Sequence, residues 1–164
     1  MHKIYKNAWL GLLLLGTICF MAMRSPQATS QYKCLVQMTN YDGEGPYFVV
    51  SVLDKEGKYL QTLHVSGEDE DWYPDLEEWW SYKEDENPDV DAITRPSVPA
   101  GGRSVFSLSI DDDWQDVGYQ LRFETAVEDQ KYVKNDLTMP LTATNLNGKF
   151  EGSGYIRYVR IIPQ

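Results

Sequence analysis

Apolar and polar residues alternate with a period of two through much of this chain, the spacing that turns one face of an extended strand toward a core. In 32–39 the pattern gathers Cys34, Val36 and Met38 on one face. Residues 46–53 are apolar at nearly every position, which predicts a strand in the middle of a sheet with both faces covered. The turn at 54–58 carries Gly57 for a positive φ, so 59–66 returns as the partner strand of a hairpin. Further on, 105–110 turns Phe106, Leu108 and Ile110 inward, and 119–127 does the same with Tyr119, Leu121, Phe123 and Thr125. An aspartate-rich turn at 111–118 separates these two strands. Residues 131–154 hold Pro140 and an Asn-Leu-Asn-Gly turn between two weak strands, and 154–162 closes the domain. Roughly seven short strands with Gly, Asn and Asp turns predict an all-β fold, an antiparallel Ig-like β-sandwich, with a jelly roll as the alternative.

One segment breaks the period. Residues 68–91 contain twelve acidic side chains against one lysine, with Trp72, Tyr73, Trp79, Trp80 and Tyr82 among them. Pro74 fits the first turn of a short helix, Glu77 and Glu78 complement its positive end, and Leu76, Trp79 and Trp80 share a face at i, i+3 and i+4. Carboxylates seek water while indoles seek cover, so the segment is either a helix capping an open edge of the sandwich or a place where something docks. The docking reading makes Trp72, Tyr73, Trp79, Trp80 and Arg95 the partner-binding residues.

The chain begins with Lys3 and Lys6, an apolar run at 8–23, Arg24 and a polar stretch ending Ala28-Thr29-Ser30. That order describes a secretory signal (1–30) cut after Ser30, or an N-terminal membrane anchor, since the run falls just short of the ~17 to 25 residues that span a bilayer. Either way the body, 31–164, is exported as a single domain, and membrane attachment through 8–23 stays open. Without 1–30 the chain keeps 12 basic and 25 acidic residues, a net charge of −13. Such a charge repels nucleic acid and anionic lipid and suits cationic partners or metal ions.

Past residue 30 there is one cysteine, Cys34, and one histidine, His64. One thiol forms no intramolecular disulfide, and this count argues against structural zinc, haem or copper. Asp111, Asp112, Asp113 and Asp116 invite a calcium reading, but Asp116 stands where an EF-hand loop needs glycine and Arg122 where it needs glutamate. An Asx turn is the better expectation there, with weak calcium or iron binding left open and no metal site assigned. No nucleophile elbow, zinc-protease motif or phosphate-cradling loop occurs, so the expectation is a protein that is not an enzyme, with no catalytic residues.

Gly57 to Leu63, Trp79, the run Asp91-Ala92-Ile93-Thr94, Gly101 and Gly118 to Glu124 together resemble the predicted periplasmic family known as domain of unknown function twenty-two seventy-one, from about residue 32 onward. The resemblance implies an Ig-like exported domain associated with PepSY-type membrane proteins of iron reduction and extracytosolic flavin chemistry. It also resembles a flavin-attachment pattern in which Asp91, Thr94 and Ser97 take the acidic, first hydroxyl and acceptor places. Here Arg95-Pro96 replaces the Gly-Ala that would let a loop close on FMN. Three functions follow: an accessory binding domain of a periplasmic membrane redox or iron-handling system, a covalent FMN carrier, or a structural or adhesive sandwich.

Overall fold

The computed structural model describes residues 28–86, 90 and 93–164. Two sheets form the body. One has four strands in the order β5-β1-β9-β8, made of β1 (Thr29–Met38), β5 (Arg103–Asp111), β8 (Lys149–Glu151) and β9 (Ile156–Pro163). The other has five in the order β4-β3-β2-β6-β7, from β2 (Tyr47–Leu53), β3 (Tyr59–Ser66), β4 (Thr94–Arg95), β6 (Gln120–Ala126) and β7 (Val133–Pro140). The all-β two-sheet sandwich expected from the period-two pattern is the fold observed. One pair departs from an antiparallel plan: β4 runs parallel to β3, with Val65 beside Thr94 and Ser66 beside Arg95.

The predicted inward faces hold. Cys34, Val36 and Met38 of β1, Leu108 and Ile110 of β5, and Val159 and Ile161 of β9 meet Phe48, Val50, Val52, Leu121 and Phe123 of the facing sheet in one apolar core. Burial pushes the Cys34 thiol well above the usual thiol range, as suits a packing residue. The β2–β3 hairpin closes through Asp54, whose Oδ1 accepts from Glu56 N (3.0 Å) and Lys58 N (2.8 Å), with Gly57 at φ +81°. Strand β1 takes in Thr29 and Ser30, paired with Asp111 and Ile110, so a cut after Ser30 would remove two paired residues.

Every residue of β2 is buried. The expected reason is that it lies mid-sheet, between β3 and β6. The further reason is a third layer, which packs on the side of the five-stranded sheet away from the four-stranded one. There Tyr47, Val49, Leu53, Tyr59, Val65 and Ala126 form a second apolar cluster with Tyr73, Leu76, Trp79 and Val90. The acidic segment therefore covers a sheet face and does not cap an edge, because β2 and β3 present apolar side chains on both faces. Among the described residues no helix is long and apolar enough to cross a membrane.

Candidate functional site

The insertion leaves β3 at Gly67, whose φ of +126° and approach to the Tyr47 ring leave no room for a Cβ. Gly67 N donates to Arg95 O (2.7 Å) and its carbonyl accepts from Tyr73 Oη (3.0 Å), so the exit point is tied to β4 and to the insertion. A 3-10 helix, Glu70–Asp75, follows, with the Asp69 side chain accepting from Asp71 N. It contains Pro74, and the α-helix α1 begins after it, spanning Glu77–Glu86. Proline thus shapes the turn before α1 and not its first turn as expected.

The four aromatic residues expected to bind a partner divide into two pairs. Trp79 and Tyr73 are interred, at 0% and 1% exposure, and touch edge to face with ring centroids 5.2 Å apart. Trp79 Nε1 donates to Thr62 Oγ1 (2.7 Å), so burial of the indole leaves no orphan donor. This corrects the docking expectation for both residues: their surfaces are spent on the sheet. Trp72 and Trp80 are only partly buried against the same cluster. Lys83 Nζ stands 5.1 Å from the Trp80 ring and 5.2 Å from that of Tyr73, and Tyr82 stacks on Tyr59 at 4.8 Å.

Beneath the helix lies a buried charge pair, Arg122 and Glu124, that the period of two does not announce. Arg122 and Glu124 stand on the β6 face that the insertion covers, with side chains 2% and 0% exposed. Arg122 pairs with Glu124 through Nη2 and lies 3.8 Å from Glu78, which Lys134 Nζ also reaches at 2.9 Å. Glu124 Oε2 accepts from Tyr132 Oη (2.6 Å) and from Trp79 N (3.2 Å), while Tyr132 Oη accepts from Glu78 N (3.2 Å). Burial pushes the Glu124 carboxyl above the usual range, and Arg122, Tyr132 and Trp79 pull it back. Burial and its bond to Glu124 push the Tyr132 phenol far upward. These contacts pin α1 to the sheet and set the position of Tyr132.

Tyr132 then forms one wall of a cleft of about 230 Å³, with Trp72, Asp75, Glu77, Ala126, Asp129 and Gln130 as the rest of its lining. Three carboxylates, two aromatic rings and, among the described residues, no basic side chain face this space. Desolvation, followed by the like charges of Glu44, Asp69, Asp129 and Asp75, pushes the Glu128 carboxyl upward beside it, a sign of concentrated negative charge. A cleft so built favours an ammonium or guanidinium group over any anion. Among the described residues no group of three His, Cys, Asp or Glu side chains is arranged to hold a metal ion.

The hydroxyl-bearing segment lies elsewhere, at the β4 edge of the sheet. Asp91 falls outside the described residues. Thr94 Oγ1 donates to Val90 O (2.9 Å), Arg95 Nη1 donates to Thr94 O (2.6 Å), and Pro96 O accepts from Ser66 Oγ (3.1 Å). Arg95 and Ser97 are exposed. Strands β3 and β2 separate this edge from β6 and the cleft, so Thr94, Arg95 and Ser97 do not share a site with Trp72.

The aspartate turn is the expected Asx turn: Asp111 Oδ1 accepts from Asp113 N (2.8 Å) ahead of the 3-10 helix Asp112–Trp114. Asp136, also missed, is buried and accepts from Ser153 N, Gly154 N, Ile156 N and Thr125 Oγ1, fastening the β8–β9 turn.

No match was found among curated proteins or among solved structures. The family model described as "Predicted periplasmic protein (DUF2271)" matches residues 29–158, which takes in β1 through β8, the whole insertion and the start of β9. The chain belongs to that family of predicted periplasmic proteins.

Proposed function

We propose that this protein is an exported, non-enzymatic binding domain that serves a membrane-associated redox or iron-handling system, and that the cleft beside Trp72 receives a cationic group of its partner. The observation that carries this reading is the lining of the cleft: Trp72 and Tyr132 with Asp75, Glu77 and Asp129, and no cation among them. Aromatic faces supply contact area at low entropic cost, and the carboxylates steer and hold positive charge. A PepSY-type membrane protein is the partner class we favour, on the family resemblance of Gly57 to Leu63 and Gly118 to Glu124.

The test is a photocrosslinking residue at position 72 in the chain produced in its own cell, followed by isolation of crosslinked membrane proteins. The reading expects a redox-type membrane protein whose capture falls when Asp75 and Glu77 are changed to Asn and Gln. Capture that is absent, or that is indifferent to those changes, contradicts it.

A second reading, covalent FMN on Ser97, draws support from the exposure of that side chain at the β4 edge. Intact mass after production beside a flavin transferase separates the two, because an unshifted mass leaves Ser97 an ordinary surface hydroxyl.

A further inference from the structure

The acidic character of the chain hides a segregation of charge that only the sheet register reveals. On the outward face of the four-stranded sheet, cross-strand neighbours line up as Val105–Leu35–Arg160–Lys149, then Ser107–Lys33–Ile162, then Arg103–Gln37–Tyr158–Glu151. Lys33, Arg103, Lys149 and Arg160 thus share one surface with the carboxylate Glu151, and the other acid in register, Asp111, is buried at the end of β5. Among the described residues none of these four cations forms an ion pair. Val105 and Ile162 stand 55% and 37% exposed between them. Lys149 Nζ sits 4.0 Å above the Tyr158 ring. The insertion with its carboxylates lies on the far side of the other sheet, so one side of the molecule is basic and apolar and the opposite side acidic.

We propose that this sheet face docks on a membrane surface carrying anionic lipid. Charge complementarity selects that occupant: spaced lysines and arginines read anionic headgroups, and Leu35, Val105, Tyr158 and Ile162 enter the interfacial region between them. The expectation from net charge, repulsion of anionic lipid, applies to the molecule as a whole and not to this face, because fields beyond about 8 Å are screened at physiological salt. The chain path agrees. Strand β1, in the middle of this surface, starts at Thr29, so only residues 24–28 separate it from the apolar run 8–23. If that run is retained, those residues reach no more than about 20 Å. Docked this way, the domain turns its acidic cleft away from the bilayer and toward a partner.

The test uses the full chain with Cys19→Ser and Ser107→Cys, labelled at position 107 with an environment-sensitive fluorophore while buried Cys34 stays unlabelled. Phosphatidylglycerol–phosphatidylcholine vesicles are expected to give a blue shift that salt reduces, and pure phosphatidylcholine vesicles a smaller one, owed to the apolar run 8–23, that salt leaves unchanged. Lys33→Glu with Arg160→Glu weakens the apparent lipid affinity by about tenfold or more. Lys33→Gln with Arg160→Gln, the gentler pair should the reversal disturb folding, gives a smaller loss. An unshifted probe on both vesicles, an equal shift on both, or no response to either pair of substitutions overturns the proposal. A shift without vesicles that grows with protein concentration also overturns it, since the occupant is then a second copy presenting its acidic side.

Discussion

The two apolar clusters of this domain are built on different terms. Between the sheets, Phe48, Val50, Leu121 and Phe123 meet Cys34, Val36, Leu108 and Val159 in a layer packed from many interchangeable aliphatic contacts. On the outer face of the five-stranded sheet, a few large rings, Tyr73, Trp79, Tyr47 and Tyr59, share the space with the buried Arg122 and Glu124. The first layer is an all-purpose core. The second fastens one particular segment in one particular register, since each directional bond there names its partner: Trp79 to Thr62, Tyr73 to Gly67, Glu124 to Tyr132. A cleft at the margin of such a layer inherits a fixed shape, which a binding site needs.

The contrast is broken most severely by Trp79→Ala. Loss of a fully buried indole and of its bond to Thr62 is expected to cost about 3–5 kcal/mol in urea unfolding. Next comes Glu124→Ala, which removes the close partner of the buried Arg122 and leaves it Glu78 at 3.8 Å, and is expected to cost about 3 kcal/mol. Replacing both as Arg122→Met with Glu124→Leu should cost less than Glu124→Ala alone, because no unpaired charge remains. Equal losses from the single and double changes would show that packing, not pairing, fixes the helix there.

His64 sharpens the comparison from the first layer. It is buried, stacks on Phe106 at 3.6 Å, and its Nε2 has no hydrogen-bond partner among the described residues. Burial, with Arg95 nearby, lowers its pKa from 6.5 to about 3. The unfolded chain therefore binds the proton first. The stability that His64 contributes is complete above pH 6.5 and is lost as pH falls toward about 3, amounting to about 2 kcal/mol by pH 5. The difference between wild type and His64→Phe in urea midpoints across that window measures it; parallel curves would refute it. Gly67→Ala, at φ +126° against the Tyr47 ring, is expected to cost about 1–2 kcal/mol and to loosen the insertion first, read as faster amide exchange in α1 than in β2.

The strands were legible because a period of two survives without knowledge of partners, and the 54–58 turn announced itself through Asp54 and Gly57. The third layer was half legible. An apolar β2 said that both faces were covered, yet nothing local said that the acidic segment supplies the cover. Leu76 and Trp79 are both buried, as their spacing predicts, although Leu76 stands just before α1 and not within it. What sequence could not divide was Tyr73 and Trp79 from Trp72 and Trp80, since exposure is decided by the sheet the helix meets. Glu124 was illegible for the same reason: its donor at Trp79 comes from 45 residues away. The parallel β3–β4 pairing rests on two residues, too short for any periodic signal.

The smallest expected effect on stability belongs to Trp72→Ala, within about 1 kcal/mol of wild type, because that ring is only partly covered. It is also the substitution closest to the central claim, that two tryptophans seven positions apart do opposite work. The decisive measurement follows the indole N–H resonances of the protein by NMR while a lysine- and arginine-rich peptide is added. Movement of the Trp72 signal with that of Trp79 unmoved, and loss of peptide binding in Trp72→Ala, is the predicted result. An unmoved Trp72 signal, or equal peptide affinity in Trp72→Ala, would contradict the account.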